Sequence, residues 1–427
     1  AEGRARIAAW SRDAVQRIKE GAPPLSPVVL YEELLALFRD RVWRKSMIIF
    51  LCGVALGGSA GLVAALRLRT GSPGPAVRAL HSHPDHSVIL VEDAVAPCAG
   101  AGEVLVRVQA FSVCALDRRI LRGRARGLRA LLAPGGGAVT VGRGFAGVVL
   151  DVGHGVEDLE LGDEVWGVLS EWAGGAASEL LTVRSTRVSK RPRSLSADAA
   201  AALPWAGGEA LHALRRLRLD SHTGKGKRVA ICGASSGEGC ALIQLLSSWG
   251  AHITVVAPRH AAMTLKDLGA QEFVEQPAAS EWAALEARAR SSGPWDAAVT
   301  CAAARLPPAA RCCTAAIIKA TAPRGSHVDL RPTPLISDRL PLPFYLVFAA
   351  SFYTFRVLRW AAGRGWHGDW AERPQRLRAG LEALAGLVAA GSLAPRLDKV
   401  YLPQEFESAL AHACSDEAIG TTVVRFP

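Results

Sequence analysis

The sequence of 427 residues has few aromatic side chains and no C-x-x-C cysteine pair, and each shortage excludes a class of function. Phe, Trp and Tyr make up only 6% of the chain, and the arginine cluster from Arg118 to Arg129 has none of them interleaved. A surface that stacks nucleic-acid bases is therefore not expected, despite a net charge of +11. The cluster is either a solvated face or a contact for an anionic membrane. The nine cysteines include no C-x-x-C pair, which excludes the usual zinc spacings and favours a reducing compartment.

Charge is absent from Met47–Leu66, a run of about 20 residues that is long enough to cross a bilayer as a helix. We predict a single transmembrane helix there. The preceding residues 1–46 mix arginines with apolar residues and are expected to be a targeting extension. Gly53, Gly57 and Gly61 recur every four residues, so two such helices could pack closely in a homodimer. The alternative is an anchor that merely contains small residues.

A second run without charge, Pro341–Phe355, is shorter and contains prolines, so it does not predict a membrane span. An apolar segment of this kind still needs an apolar partner. A dimer surface, a lipid surface, the entrance for an apolar substrate and the protein's own core all remain open.

One strand–turn–helix unit organises the second half of the chain. Arg228–Cys232 is a short apolar run, the turn Gly233-Ala-Ser-Ser-Gly237-Glu-Gly239 follows, and apolar residues then recur at helical spacing before a second strand, His252–Val256. Glycines in such a turn let the backbone approach a pyrophosphate, and the helix N-terminus supplies free N–H groups. A tight turn without a ligand is the alternative. The unit predicts a Rossmann domain whose candidate cofactor residues are Gly233, Ser235, Ser236, Gly237, Glu238 and Gly239.

No acidic residue follows the second strand, where enzymes that use NAD commonly have one to bind the ribose hydroxyls. The sequence there is Val256-Ala-Pro-Arg-His260, and Arg259 is placed to pair with a 2′-phosphate. We therefore predict NADPH as the cofactor. The alternative is that Arg259 is only an exposed loop residue.

The strand and helix patterns divide the chain after the apolar run. Short strands over 76–205 predict an all-β lobe, and helices alternating with parallel strands over 206–368 predict the Rossmann domain. Residues 369–427 end in short strands around a helix, which suits a C-terminal return to the β lobe.

This plan, and several short segments, resemble the zinc-free quinone oxidoreductase branch of the medium-chain dehydrogenase/reductase superfamily, and within it the mitochondrial reticulon-interacting oxidoreductases. The segments that carry the resemblance are Ser112–Asp117, Val141–Gly147, Gly162–Trp166, Ala202–Trp205, Thr223–Val229, Leu268–Ala270 and Leu387–Gly391. The resemblance implies an α/β fold with a GroES-like β lobe and a doubly wound parallel Rossmann sheet, here preceded by the transmembrane helix. It also implies NADPH-dependent reduction of a quinone or small carbonyl compound, and a mitochondrial location. Together with the apolar run Met47–Leu66, it predicts that the protein lies in a mitochondrial membrane.

Two related enzyme classes are excluded by missing residues. Zinc alcohol dehydrogenases of the superfamily need a His where this chain has Arg143, and a Cys for which 198–212 offers none, so Cys114 alone holds no catalytic zinc. Short-chain dehydrogenases share a similar glycine turn but need a Tyr followed four residues later by Lys, and none of the four tyrosines has one.

Departures from the family pattern lie at the expected site. Ser236 and Glu238 replace a Gly and a Val of the family's turn, Glu209 replaces a Thr, and Cys114 replaces an Asn. Two carboxylates are therefore expected beside the cofactor, where their charge opposes the pyrophosphate. Two functions stay open: an NADPH oxidoreductase with Cys114 and Asp117 as candidate catalytic residues, and a catalytically weak, membrane-tethered binding or scaffold protein.

Overall fold

The computed structural model describes residues 76–82, 87–132, 141–172, 174–276, 281–302, 314–323, 325–332, 335–362 and 374–427. The chain divides into two units, Ala1–Thr70 and Gly71–Pro427, and every element below belongs to the second. The targeting extension, Met47–Leu66 and its three spaced glycines lie outside the described residues. Within those ranges, no helix combines the length and the apolar character needed to cross a membrane.

The described ranges contain strands and helices in an order that alternates only in the second half. The strands are β1 Ala76–Ser82, β2 Val88–Val95, β3 Glu103–Val113, β4 Gly144–Val152, β5 Glu164–Val168, β6 Leu180–Arg184, β7 Val188–Lys190, β8 Arg228–Cys232, β9 His252–Ala257, β10 Glu272–Glu275, β11 Ala297–Thr300, β12 His327–Asp329, β13 Leu397–Tyr401 and β14 Thr421–Arg425. The helices are α1 Ala115–Leu121, α2 Arg126–Leu132, α3 Ala197–Leu217, α4 Gly237–Ser248, α5 Ala262–Asp267, α6 Glu281–Ser292, α7 Thr314–Ile317, α8 Leu342–Ala361, α9 Pro374–Ala389 and α10 Phe406–Ala413.

The β lobe is a sheet in the order β13-β14-β3-β4-β5-β7, with β6 also paired to β3. Its central strand β3 buries Val104, Val106 and Val108, the period-two pattern of a strand with one face in a core. The last strand, β14, runs antiparallel to β3 with Thr422 opposite Val113. The C-terminal segment therefore returns to the β lobe, and the predicted GroES-like part of the fold is confirmed.

The second sheet is parallel throughout and has the order β10-β9-β8-β11-β12. The strand order reverses between β8 and β11, and in such sheets ligands bind in the crevice at the carboxyl ends of the strands beside this reversal. Buried residues dominate β8, β9 and β11, as expected for strands covered on both faces. The predicted Rossmann sheet is confirmed.

Helix α3 joins the two lobes. It begins where Ser196 Oγ accepts a hydrogen bond from the Ala199 N–H (3.3 Å), and it ends at Arg218, whose positive φ of 58° is a left-handed cap. Small residues on α3 allow close approach to β4, since a Cβ added at Gly144 would lie 2.9 Å from the Ala201 carbonyl oxygen. The helix thereby carries Trp205 and Glu209 to the crevice between the lobes.

Candidate functional site

The glycine turn connects β8 to α4 in a form that only glycine permits at two positions. Gly233 has a φ of +68°, in the left-handed region, and a Cβ at Gly239 would lie 2.6 Å from the Ala234 carbonyl oxygen. Ser236 fixes the start of α4, because its Oγ accepts from the Gly239 N–H (3.3 Å) and donates to the Gly233 carbonyl (3.1 Å). The backbone is thus shaped for close approach by a ligand.

The first turn of α4 presents hydrogen-bond donors. Among the described residues, no acceptor is bonded to the backbone N–H of Glu238, whereas the Gly237 N–H lies at the isolated parallel bridge between Ser236 and Gly420. Unpaired N–H groups at a helix N-terminus carry the positive end of the helix dipole. The arrangement fits the diphosphate of a dinucleotide.

Glu238 spans the crevice where the strand order reverses. Its side chain is buried, with 8% of the residue exposed, and its Oε1 accepts a hydrogen bond from the Ala302 N–H (2.9 Å) just beyond β11. The carboxylate therefore links the glycine turn to the neighbouring strand end. Its charge also contributes, after burial itself, to raising the pKa of the Cys301 thiol well above the usual value.

Two cavities meet at this carboxylate. The larger, of about 560 Å³, lies between α1, the start of α4 and the C-terminal segment from Ala413 to Thr422. The smaller, of about 190 Å³, extends towards α3 and the residues after β12. Both have Cys114, Trp205, Glu238 and Ala302 in their walls. They form a cleft between the two lobes.

Glu209 lines the smaller cavity together with Glu238, so the structure brings the two predicted carboxylates to one space. Arginines share that wall, including Arg216 and Arg331. The cleft is therefore of mixed charge, and the electrostatic cost of the two glutamates to an anionic ligand is partly offset there.

Asp117 is fully buried and in the walls of neither cavity. Its two carboxylate oxygens accept hydrogen bonds from the N–H groups of Gly142 (2.8 Å) and Cys114 (2.9 Å), and Oδ1 lies 3.7 Å from Nε of Arg143. Arg143, also fully buried, donates to the carbonyl of Ser170. Asp117 thus has the geometry of a residue that positions Cys114 and the loop at Gly142, not of one that touches a substrate.

Cys114 faces the cleft and is part of the walls of both cavities. Burial first, then the charges of Asp117 and Glu238, raise the pKa of its thiol well above the usual value. The sulfur is therefore a protonated thiol at neutral pH, and its S–H donates a hydrogen bond to Asp117 Oδ2 (3.5 Å).

A metal has no suitable donor set at this position. The carboxylate of Asp117, which contacts Cys114, pairs with the guanidinium of Arg143. Throughout the described part of the chain, no three His, Cys, Asp or Glu side chains are grouped as metal ligands.

The remaining predicted residues lie around the turn. Ser235 is buried, and its carbonyl accepts from the Gly420 N–H (2.8 Å), which joins the turn to the C-terminal return. Arg259 is exposed in the 3-10 turn Arg259–Ala261 after β9, outside both cavities. Its position at the end of β9 suits contact with a part of a bound dinucleotide that lies beyond the diphosphate.

Sequence reasoning missed the basic wall of the larger cavity, which contains Arg118, Arg119 and Arg122. A signal existed, because Arg118 and Arg122 follow Cys114 by four and eight residues and so share one face of α1. The contribution of the segment from Ala413 to Thr422 had no such signal.

Comparisons with known proteins agree with this architecture. The family described as "Alcohol dehydrogenase GroES-like domain" matches residues 100–193. The chain is 36% identical over 159 residues to "NAD(P)H oxidoreductase RTN4IP1, mitochondrial" of Bos taurus, a match that covers 37% of this chain and 39% of that protein. It is 35% identical over 209 residues to "Chloroplast envelope quinone oxidoreductase homolog" of Arabidopsis thaliana, covering 48% and 61% respectively. The matches thus span about two fifths to three fifths of these relatives' lengths.

Solved structures extend the similarity to both lobes at the level of the fold. The CurK enoyl reductase superposes with a TM-score of 0.63 at 19% identity, covering 82% of this chain and 100% of that one. The quinone oxidoreductase from Coxiella burnetii gives a TM-score of 0.61 at 20% identity, covering 82% and 99%. Residues 100–193 thus match the GroES-like domain of alcohol dehydrogenases, both lobes share the fold of these solved structures, and the relatives by sequence are named as NAD(P)H and quinone oxidoreductases.

Proposed function

We propose that this protein is a zinc-independent, NADPH-dependent oxidoreductase that transfers hydride to a quinone or a small carbonyl compound. The observation that carries the proposal is the start of α4. The free N–H group of Glu238, at the end of the glycine turn, opens into the larger cavity, opposite Cys114 and beside the reversal of strand order. The names of the relatives support the same reaction class.

In this proposal residues 206–368 hold the cofactor, and residues 76–205 with 369–427 form the catalytic lobe. The turn from Gly233 to Gly239 binds the diphosphate through backbone N–H groups, and Arg118 and Arg122 add positive charge to the same cavity. When bound, the nicotinamide supplies a hydride equivalent, and the chain needs no nucleophile of its own.

Cys114 orients the acceptor in this scheme. Its protonated thiol lies in the wall of the cleft, and its S–H turns from Asp117 Oδ2 to donate to the carbonyl oxygen that gains charge during reduction. Asp117 acts as a positioning residue by holding the Cys114 N–H and, through Gly142, the loop that carries Arg143. Half-buried Trp205, shared by both cavities, covers the reacting groups and limits access of water.

The preference for NADPH and the location are finer parts of the proposal. Exposed Arg259 at the end of β9 pairs with the 2′-phosphate in a region without a neighbouring acid. Met47–Leu66 anchors the protein in a membrane, and the mitochondrial names of relatives favour that organelle.

A second function is favoured by Glu238. Its buried carboxylate stands in the crevice where the cofactor would lie, and Glu209 adds a second negative charge to the smaller cavity. A protein in which these charges prevent nucleotide binding would keep the fold as a membrane-tethered scaffold.

Calorimetric titration of the full chain with NADPH distinguishes the two. We expect one saturable site per chain. The Gly237→Val substitution at the start of α4 should remove this site, because a Cβ there would lie 2.2 Å from Thr421 Oγ1. Gly386→Val is the matched control, since a Cβ there meets no atom within 4 Å. Absence of binding by the wild-type chain, or equal binding by a folded Gly237→Val variant, would refute the proposed cofactor site.

A further inference from the structure

Helix α8 has an outer face made almost entirely of apolar side chains. Its first fourteen residues, Leu342–Phe355, include no charged residue. Its large side chains with more than two fifths of their surface exposed are Leu342, Phe344, Leu346, Val347, Phe355, Val357 and Leu358. Exposed apolar residues at this density along a single helix mark a contact surface.

The other face of α8 is fixed to the protein, so the direction of the apolar face is defined. Tyr345 Oη donates to the Gly127 carbonyl and Tyr353 Oη to the Leu131 carbonyl, each at 2.9 Å. Phe352 is buried between them, and the Arg356 guanidinium lies 5.4 Å from its ring centroid. Helix α8 is thus attached to α2 through Tyr345 and Tyr353.

The few polar groups on the outer face are satisfied within the helix. Ser351 Oγ donates to the Val347 carbonyl (2.6 Å), and Thr354 Oγ1 donates to the Ala350 carbonyl (2.8 Å). Hydroxyls bonded to their own helix lose little when water is removed. The whole outer face can therefore leave water.

Positive charge borders the start of this face. Asp338 accepts from the N–H groups of Ala125 and Gly127, which holds the 3-10 turn Ile336–Arg339 against α2. Arg126 and Arg339 flank this junction, and both are exposed and form no ion pair with any described residue. An apolar strip edged by free arginines is complementary to an anionic lipid surface.

A second copy of the chain fits the face less well. A helix of 20 residues is about 30 Å long and about 10 Å wide, so its face offers roughly 300 Å². A stable interface buries about 800 Å² on each partner. Pairing of α8 with its copy would also bring arginines of like charge together. We propose that α8 is a peripheral membrane-docking surface that inserts its apolar face into an anionic bilayer, independently of the oxidoreductase proposal.

Cross-linking from a diazirine-labelled phospholipid, mapped on peptides of the full chain, tests this directly in vesicles with and without phosphatidylserine. We expect label on residues 342–361 in anionic vesicles, reduced about tenfold or more by Val347→Asp with Leu358→Asp. Met263→Asp with Leu161→Asp is the matched control, because those side chains are 78% and 69% exposed elsewhere on the protein. The control should leave the label unchanged.

A second variant leaves α8 itself intact. Arg126→Ala with Arg339→Ala should remove the dependence on phosphatidylserine, reducing the label about tenfold in anionic vesicles only. Vesicle-bound protein without label on 342–361 would overturn the proposal, and so would equal labelling with and without phosphatidylserine. A dimer in sedimentation equilibrium that the Val347→Asp, Leu358→Asp variant dissociates would assign the face to a second copy instead.

Discussion

Replacing Glu238 by Gln removes a negative charge from the crevice with little change of shape. Gln keeps an Oε1 that accepts from the Ala302 N–H, so the link between the glycine turn and the end of β11 is retained. Glu238 provides a free backbone N–H group at the start of α4, and its side chain begins at the same turn. The substitution therefore changes the electrostatics of the proposed diphosphate site and little else.

The size of the effect follows from Coulomb's law. A carboxylate about 6 Å from a phosphate, at an effective dielectric constant of about 20, costs roughly 2 to 3 kcal/mol, which is about a hundredfold in Kd. The arginines of the cleft offset part of this cost. We expect Glu238→Gln to strengthen NADPH binding about tenfold, and the further change Glu209→Gln to approach a hundredfold.

The oxidised and reduced forms of the cofactor should respond differently to this substitution. An anionic wall favours the cationic oxidised ring, so Glu238→Gln should strengthen NADPH binding more than NADP⁺ binding. Calorimetry of the wild type and both variants measures this, and exposed Glu157→Gln controls for net charge. Tight NADPH binding by the wild type, changed less than about twofold in Glu238→Gln, would show that the carboxylate does not act on the cofactor.

Four other predictions test separate parts of the account. Arg259→Ala should weaken NADPH about tenfold or more and NADH little, because a paired phosphate contributes about 1.5 to 3 kcal/mol; equal losses in titration would place the side chain in solvent. Met47–Leu66 should keep the chain in the membrane pellet after carbonate extraction, and recovery of the intact chain in the supernatant would contradict an anchor. Asp117→Asn should lower the free energy of unfolding by about 3 to 5 kcal/mol in denaturant titration, since it removes the negative charge that pairs with the fully buried Arg143; an unchanged midpoint would refute the ion pair. Burial lowers the pKa of His327 below its usual 6.5, so the unfolded chain takes up that proton first and stability falls as the pH drops below 6.5. His327→Gln should make the melting temperature less sensitive to pH between about 7 and 5, and an identical pH profile would contradict this.

The features that could be predicted from sequence are those encoded over short stretches. Gly233 and Gly239 mark the turn because a left-handed φ and a close backbone approach leave no alternative residue. The alternation of valines in β3 and the apolar run of β8 identify strands in the same way. Both lobes follow from such local signals.

The parts of the cleft that were not predicted depend on contacts between distant residues. Pairing of β14 with β3 brings the segment from Ala413 to Thr422 against the glycine turn, and no local pattern encodes that approach. Asp117 is held by the loop at Gly142, which is 25 residues away in the sequence. For α8, apolar residues occur all round the helix, so its sequence does not show which face contacts α2.

Single-turnover oxidation of bound NADPH tests the central claim most directly. The full chain, loaded with NADPH under anaerobic conditions, is mixed with a panel of quinones and unsaturated carbonyl compounds while nicotinamide absorbance is followed. The account predicts that at least one acceptor oxidises the bound NADPH in one-to-one stoichiometry, much faster than NADPH free in solution. NADPH that binds in the cleft and is oxidised by no acceptor faster than free NADPH would contradict it and leave the scaffold as the function.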